Sequence, residues 1–224
     1  MPSAAECAVP WRHHHRIVPS RFPPINAFED TADPADLDAV FEFEALTNSR
    51  LRVEAGDIRL VEAADRISGP GSSPVMAAFT HIGREGRFNT RDFGAYYAAS
   101  TSEAAIAETR FHRERFLRRT AERATRLEMR EYVGDPTSHP MLDLRGDAHR
   151  DLLQPDPDRY APAQQFALER RQEGASGILF PSVRLSGQEC LAAFRPRAVG
   201  PVRQGPHFLY CWDGRSIYEV VRLN

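Results

Sequence analysis

The sequence has no lysine: all 29 of its basic residues are arginine. A phosphate-binding loop that depends on a lysine is therefore excluded. No G-x-G-x-x-G after a strand, no H-E-x-x-H and no G-x-S-x-G is present either. Cysteine is scarce as well. Cys7, Cys190 and Cys211 are odd in number and lack metal-ligand spacing. They read as ordinary buried residues of a chain in a reducing compartment. No apolar run reaches the roughly 18 residues of a membrane span. The N-terminal stretch MPSAAECAVPWRHHHRIV has no apolar core of signal-peptide length. The expectation is a cytoplasmic protein without membrane contact. The 29 arginines face 31 acids, for a net charge of −2. That balance leaves no basic footprint, so direct nucleic-acid binding by this chain is not expected.

What is present suits one domain. The 224 residues are 42% hydrophobic, enough to bury a core over 1–224. Residues 1–35, with PSRFPPINAFED in the middle, read as an irregular N-terminal arm. Asp33-Pro34 signals a helix start and a helix over 34–47. Short strands are expected at 58–61 (IRLV), 75–82 (VMAAFTHI) and 95–99 (AYYAA). Ser100 and Glu103 form a Ser-x-x-Glu capping box, which predicts a helix from there to about Glu122. Strands follow at 126–133 and 141–145, a loop at 146–161, and a helix over 162–173 stopped by Gly174. The segments 177–184 and 189–196 read as strands, and Asp213-Gly214 as a hairpin turn between HFLYCW and SIYEVV. The class is α+β: a mixed sheet with flanking helices.

Several residues could carry chemistry. Arg87 sits in the turn GREGRFN, where a guanidinium fork fits phosphate; a plain surface arginine is the alternative. Tyr96 and Tyr97 must point to opposite faces of their strand, one into the core and one toward a cleft. Glu108 shares a helical stripe with Ala104, Ala105, Phe111 and His112. A carboxylate there needs a partner: Arg87, a ligand hydroxyl or His112. Ser182 follows the strand that Pro181 ends, as a presented hydroxyl or a turn cap. His81 stands at the end of an expected strand, either beside a cleft or in a structural hydrogen bond. The run of three histidines at 13–15 could bind metal, but adjacent residues converge poorly on one ion, and no metal is expected. The arginine-rich segment 110–119 reads as a solvated helix face.

The order and spacing of these residues carry more than any of them alone. Tyr97 lies ten residues after Arg87, and Glu108 eleven after Tyr97. With the G-R-F-N segment (86–89), YAASTSEAAIAE (97–108) and GILFPSVR (177–184), the chain resembles the RES-domain family from about Arg16 to Trp212. The resemblance implies a toxin of a bacterial toxin–antitoxin pair, with a fold similar to ADP-ribosyltransferase toxins and NAD⁺ as substrate. The segments TNSR, PVMAAFTH and WDG look like the ParT branch, the toxin of ParST. That branch is implied to ADP-ribosylate a host protein, phosphoribosyl pyrophosphate synthetase; other branches consume NAD⁺ by phosphorolysis or hydrolysis. The resemblance implies catalytic roles for Glu108, Arg87 and Ser182. It implies NAD⁺ contacts from Arg87, Tyr97, Ser182, His81 and Asn89, and an antitoxin that fills the cleft. The chain departs from many members in having Glu85-Gly86 where they have Gly-Gly. A catalytically silent binding module of the same fold is the alternative from another class, and a ribonuclease using Glu108, Arg87 and His81 a lower one.

Overall fold

A computed structural model describes residues 4–20 and 56–223. Its spine is a nine-stranded sheet in the order β1-β5-β6-β7-β3-β2-β4-β8-β9. The strands are β1 (Glu6–Cys7), β2 (His14–Pro19), β3 (Tyr96–Ala99), β4 (Thr125–Gly134), β5 (Met141–Asp143), β6 (Gly177–Pro181), β7 (Glu189–Ala193), β8 (Val202–Trp212) and β9 (Ile217–Leu223). Among the described strands only β5 and β6 pair in parallel. Three α-helices lie among the described residues: α1 (Ser73–Thr80), α2 (Ser102–Arg119) and α3 (Ala161–Gln172). The α+β class and the mixed sheet with flanking helices are as the sequence implies.

Strand alternation builds a core on each face. On one face Ile17, Ala99, Met129, Ile178, Cys190 and Phe208 pack with Ala104 and Ala105 of α2 and Phe166 of α3. On the other, Tyr96, Ala98, Leu179, Leu191 and Val202 pack with Val75, Met76 and Phe79 of α1. The sheet is not uniformly joined. β3 pairs with β7 along four residues, and β2 with β4 along six. Between β2 and β3 the only pair is His15 with Ala99. Beyond it the strands part, and the sheet is two half-sheets hinged at one position. Arg16 spans the gap, its Nη1 donating to the Tyr97 carbonyl at 2.9 Å.

Four expectations need correction. The segment 75–82 is not a strand: Ser73–Thr80 is a helix with Pro74 in its first turn. A short apolar run has no periodicity of its own to decide between the two. Here Val75, Met76 and Phe79 fall on one helical face against the sheet. The strand over 58–61 is a 3₁₀ turn, Ile58–Leu60, capped by the Asp57 side chain, which accepts from the Arg59 amide. The irregular arm 1–35 contains β1 and β2 in its described part, and β2 lies inside the sheet. The capping box is displaced by one residue: Thr101 Oγ1, not Ser100, accepts from the Ala104 amide at 3.2 Å. Ser100 Oγ donates instead to Gln188 at 3.0 Å. The helix expected over 34–47, its Asp33 cap and the TNSR segment lie outside the described residues. The Asp213-Gly214 hairpin is present, with Asp213 Oδ1 accepting from the amides of Arg215 and Ser216 and Gly214 at φ +100°.

The cap assignment is testable. Thr101→Ala should destabilise the fold by about 1 kcal/mol. Glu103→Ala, at the position a Ser100 box would use, should change stability by less than about 0.5 kcal/mol. Urea denaturation of the two variants checks this; the reverse ranking would restore the box at Ser100.

Candidate active site

A cavity of about 700 Å³ opens where β2 and β3 part, a size that suits a small-molecule ligand. Arg16, Arg87, Tyr97, Glu108, His112 and Tyr160 are among the residues that line it. Its floor is β3, its roof α2, and its rim the loop from α1 to β3.

Glu108 sits on the sheet-facing stripe of α2, as its spacing from Ala104 and Ala105 predicts. Its partner is neither Arg87 nor His112. Ser182 Oγ donates to Glu108 Oε1 at 2.8 Å. The same Ser182 oxygen accepts from the amides of Arg184 at 3.2 Å and Leu185 at 3.1 Å. Two amides thus orient the hydroxyl, and the hydroxyl fixes the carboxylate. Beneath Glu108, the Cys190 thiol lies 3.9 Å from Oε1. Burial, then the charge of Glu108, pushes that thiol well above its ordinary range, so it remains a protonated, weak donor.

Arg87 is buried. Nη1 donates to the Gln154 carbonyl, Nη2 to the Tyr160 hydroxyl at 3.2 Å, and the guanidinium lies 4.5 Å from the Tyr160 ring centroid. Burial pushes its pKa down, while Tyr160 and Glu108 hold it up. Among the described residues no carboxylate forms an ion pair with Arg87 or Arg16. Arg16 stacks 4.6 Å from the Tyr96 ring centroid, and its buried Nε has no hydrogen-bond partner. Arg184, whose guanidinium lies 3.3 Å from the Phe111 centroid, has a buried, unpartnered Nε too. Of the three, Arg87 is the buried one, and a buried cation gains most from an anion that supplies a counter-charge.

The two tyrosines divide as the strand period requires: Tyr96 is wholly buried and Tyr97 faces the cleft. Tyr97 also organises the rim. Its hydroxyl accepts from the Phe88 amide at 2.8 Å and donates to Asn89 Oδ1 at 2.9 Å. The Asn89 amide nitrogen donates to the carbonyls of Arg84, Thr90 and Phe93, so Asn89 is occupied within the loop. Gly86 is required here for a reason other than ligand approach: a Cβ would stand 2.4 Å from Asn89 Oδ1 and 2.6 Å from the Tyr97 hydroxyl. Burial pushes the Tyr97 phenol above its ordinary range, so it stays protonated and can donate.

His81 caps α1 and lines the cavity mouth, with Nδ1 3.3 Å from the Ala77 carbonyl. His112 lies on the cleft wall with part of its surface open to solvent. Enclosure by the wall, then Arg184 and Arg87, pushes its imidazole below its ordinary value. The three adjacent histidines diverge: His13 meets Asp135, His14 is buried edge-on to Tyr96, and His15 meets Glu131. Among the described residues no group of three potential ligands could hold a metal ion. No helix among them is long and apolar enough to cross a membrane.

The structure therefore brings Arg87, Asn89, Tyr97, Glu108 and His81 to the lining of one cleft, with Ser182 behind Glu108. Sequence reading missed Arg16, Tyr160, Gln154 and His15. Arg16 and His15 lay in a stretch read as irregular, and Tyr160 and Gln154 in one read as a loop; only an expected strand across 14–19 would have pointed to the first pair.

The RES domain family model matches residues 63–213, and the chain belongs to that family. The uncharacterised protein y4oC of Sinorhizobium fredii is 29% identical over 211 residues, covering 91% of this chain and 84% of its own length. The crystal structure of the M. tuberculosis MbcT–MbcA toxin–antitoxin complex contains a chain with a TM-score of 0.41 and 18% identity. That match covers 62% of this chain and 72% of the other.

The rim makes a specific prediction. Tyr97→Phe leaves the Phe88 amide unpaired and should destabilise the protein by about 1–3 kcal/mol. Hydrogen exchange at that amide should rise at least tenfold; unchanged protection would show that the Tyr97 hydroxyl does not hold the loop.

Proposed function

We propose that this chain is the toxin of a toxin–antitoxin pair, an enzyme that cleaves NAD⁺ and transfers ADP-ribose to a host protein. The observation that carries the reading is the Ser182–Glu108 pair in a cleft also lined by Arg87 and Arg16, neither of which forms an ion pair with a carboxylate among the described residues. Breaking the bond between nicotinamide and ribose C1′ develops positive charge on C1′ and the ring oxygen, as in glycoside hydrolysis. A fixed carboxylate stabilises that charge where it forms. Glu108, held by Ser182, supplies it. Arg87, with Arg16 across the split, offers planar donors to the two phosphates. Tyr97 presents a ring to the nicotinamide side while its hydroxyl keeps the rim closed on Arg87. His81 stands at the mouth, where it can meet the ligand's outer end.

The acceptor is a protein side chain in this reading. The ParT-like layout points to phosphoribosyl pyrophosphate synthetase as the target. Phosphorolysis or hydrolysis of free NAD⁺ uses the same carbon and the same carboxylate and is the second reading. A cognate antitoxin is part of the proposal. Its acidic segment would place a carboxylate on Arg87 and compete with NAD⁺.

Labelled NAD⁺ incubated with the protein and bacterial extract separates these outcomes. Label on one extract protein supports the transferase, and label in free ADP-ribose or its phosphate supports the second reading. Absence of any nicotinamide release would leave only a binding module. Glu108→Gln should lower nicotinamide release about a hundredfold, some 3 kcal/mol of transition-state stabilisation, with unchanged unfolding. Arg87→Lys should weaken NAD⁺ binding and turnover together, because lysine lacks the planar fork. Wild-type kinetics in either variant would remove that residue from the site.

A further inference from the structure

We infer that His15 is the general base that accepts the acceptor's proton, working across the cleft floor from Glu108. This rests on the NAD⁺-cleaving reading above and names the group that activates the nucleophile.

His15 Nδ1 lies 2.8 Å from Glu131 Oε1, and Glu131 is only 2% exposed. In the neutral imidazole whose Nδ1–H donates to the Glu131 carboxylate, Nε2 carries the lone pair. Among the described residues Nε2 has no hydrogen-bond partner, and His15 lines the same cavity as Glu108. A base oriented by a buried acid, with its free nitrogen in a reaction cleft, is the arrangement general-base catalysis uses.

The register of the sheet gives the spacing. Ala99 pairs with His15 on one side and with Cys190 on the other. The Cys190 thiol lies under the Glu108 carboxylate, 3.9 Å from Oε1. Adjacent strands stand about 4.8 Å apart, so the backbones at His15 and Cys190 are roughly 10 Å apart, with Ala99 between them. Ile17 of β2, Ala99, Cys190 and α2 share this face. In glycosidic cleavage with a base and a carboxyl group on opposite sides, the two stand roughly 6.5–9.5 Å apart to admit the attacking group. On this assignment the ribose C1′ lies between Glu108 and His15, both of which line the cavity.

The step balances. The acceptor oxygen attacks C1′ as the C1′–N bond breaks. The bonding pair moves to nitrogen and leaves neutral nicotinamide. The acceptor's proton passes to His15 Nε2, and Glu131 stabilises the imidazolium. Arg113 and Thr109 of α2 line the same cavity as His15, and the Tyr210 hydroxyl of β8 is 2.7 Å from Thr109 Oγ1.

The test compares His15→Gln with wild type in the full chain. With extract as acceptor source, nicotinamide release should fall about a hundredfold, while NAD⁺ affinity stays within about twofold. Sodium azide is an anion with no proton to lose. With purified protein it should restore release by His15→Gln and appear at C1′ in the product by mass spectrometry. Azide should not rescue Glu108→Gln. Glu131→Gln, which keeps the imidazole, should show a partial loss that azide also repairs, and it serves if His15→Gln fails to fold. Wild-type activity in His15→Gln, or a loss that azide leaves untouched in both variants, would overturn the base assignment alone. A wild-type protein that releases no nicotinamide would sink the NAD⁺ reading and this inference with it.

Discussion

The single register pair between His15 and Ala99 is the constraint on which the site depends. If β2 and β3 paired along their length, the sheet would be continuous and Tyr97 would lie against a neighbouring strand. Because they part after one pair, the space between the half-sheets is open to solvent, and small residues line it: Ala95, Ala98, Ala99 and Ala105. Arg16 replaces the missing ladder by donating to the Tyr97 carbonyl. The guanidinium that braces the split is thereby placed beside the cavity the split creates.

Electrostatics follows from that geometry. Arg87 lies in a pocket of carbonyl, phenol and ring rather than against a carboxylate. Its donors are satisfied in part, and its charge is not neutralised. Glu108, on the α2 roof, is bound by a hydroxyl and a thiol. An opposite arrangement, with Glu108 paired to Arg87, would neutralise both groups. Keeping them apart preserves a cationic side for phosphates and an anionic point for a developing cation. The cation side is preorganised because Tyr97, Asn89 and Gly86 lock the rim on which Arg87 stands.

Much of this was legible in the chain. The intervals from Arg87 to Tyr97 to Glu108, with Ser182 in its strand-end turn, identify residues that the fold brings to one cleft. The strand period assigned Tyr96 and Tyr97 to their faces, and the helical stripe placed Glu108 toward the sheet. Other parts were not legible, for physical reasons. An eight-residue apolar run between turns fits a helix or a strand equally until its packing partner is known, so α1 was read as a strand. β2 follows a polar, histidine-rich start and ends in proline; its place inside the sheet comes from β4, more than a hundred residues later. Tyr160 and Gln154 reach Arg87 only through tertiary contact. A capping pattern with both Ser100 and Thr101 available cannot say which hydroxyl the helix uses when the other has a partner on a distant loop.

The central claim is that NAD⁺ occupies the split with its reacting carbon between Glu108 and His15. A crystal structure of Glu108→Gln grown with NAD⁺ tests it most directly. The account predicts density for the dinucleotide along the cleft, its phosphates on Arg87 and Arg16 and its nicotinamide ribose between position 108 and His15. NAD⁺ bound elsewhere, or an empty cleft at saturating concentration, would contradict it.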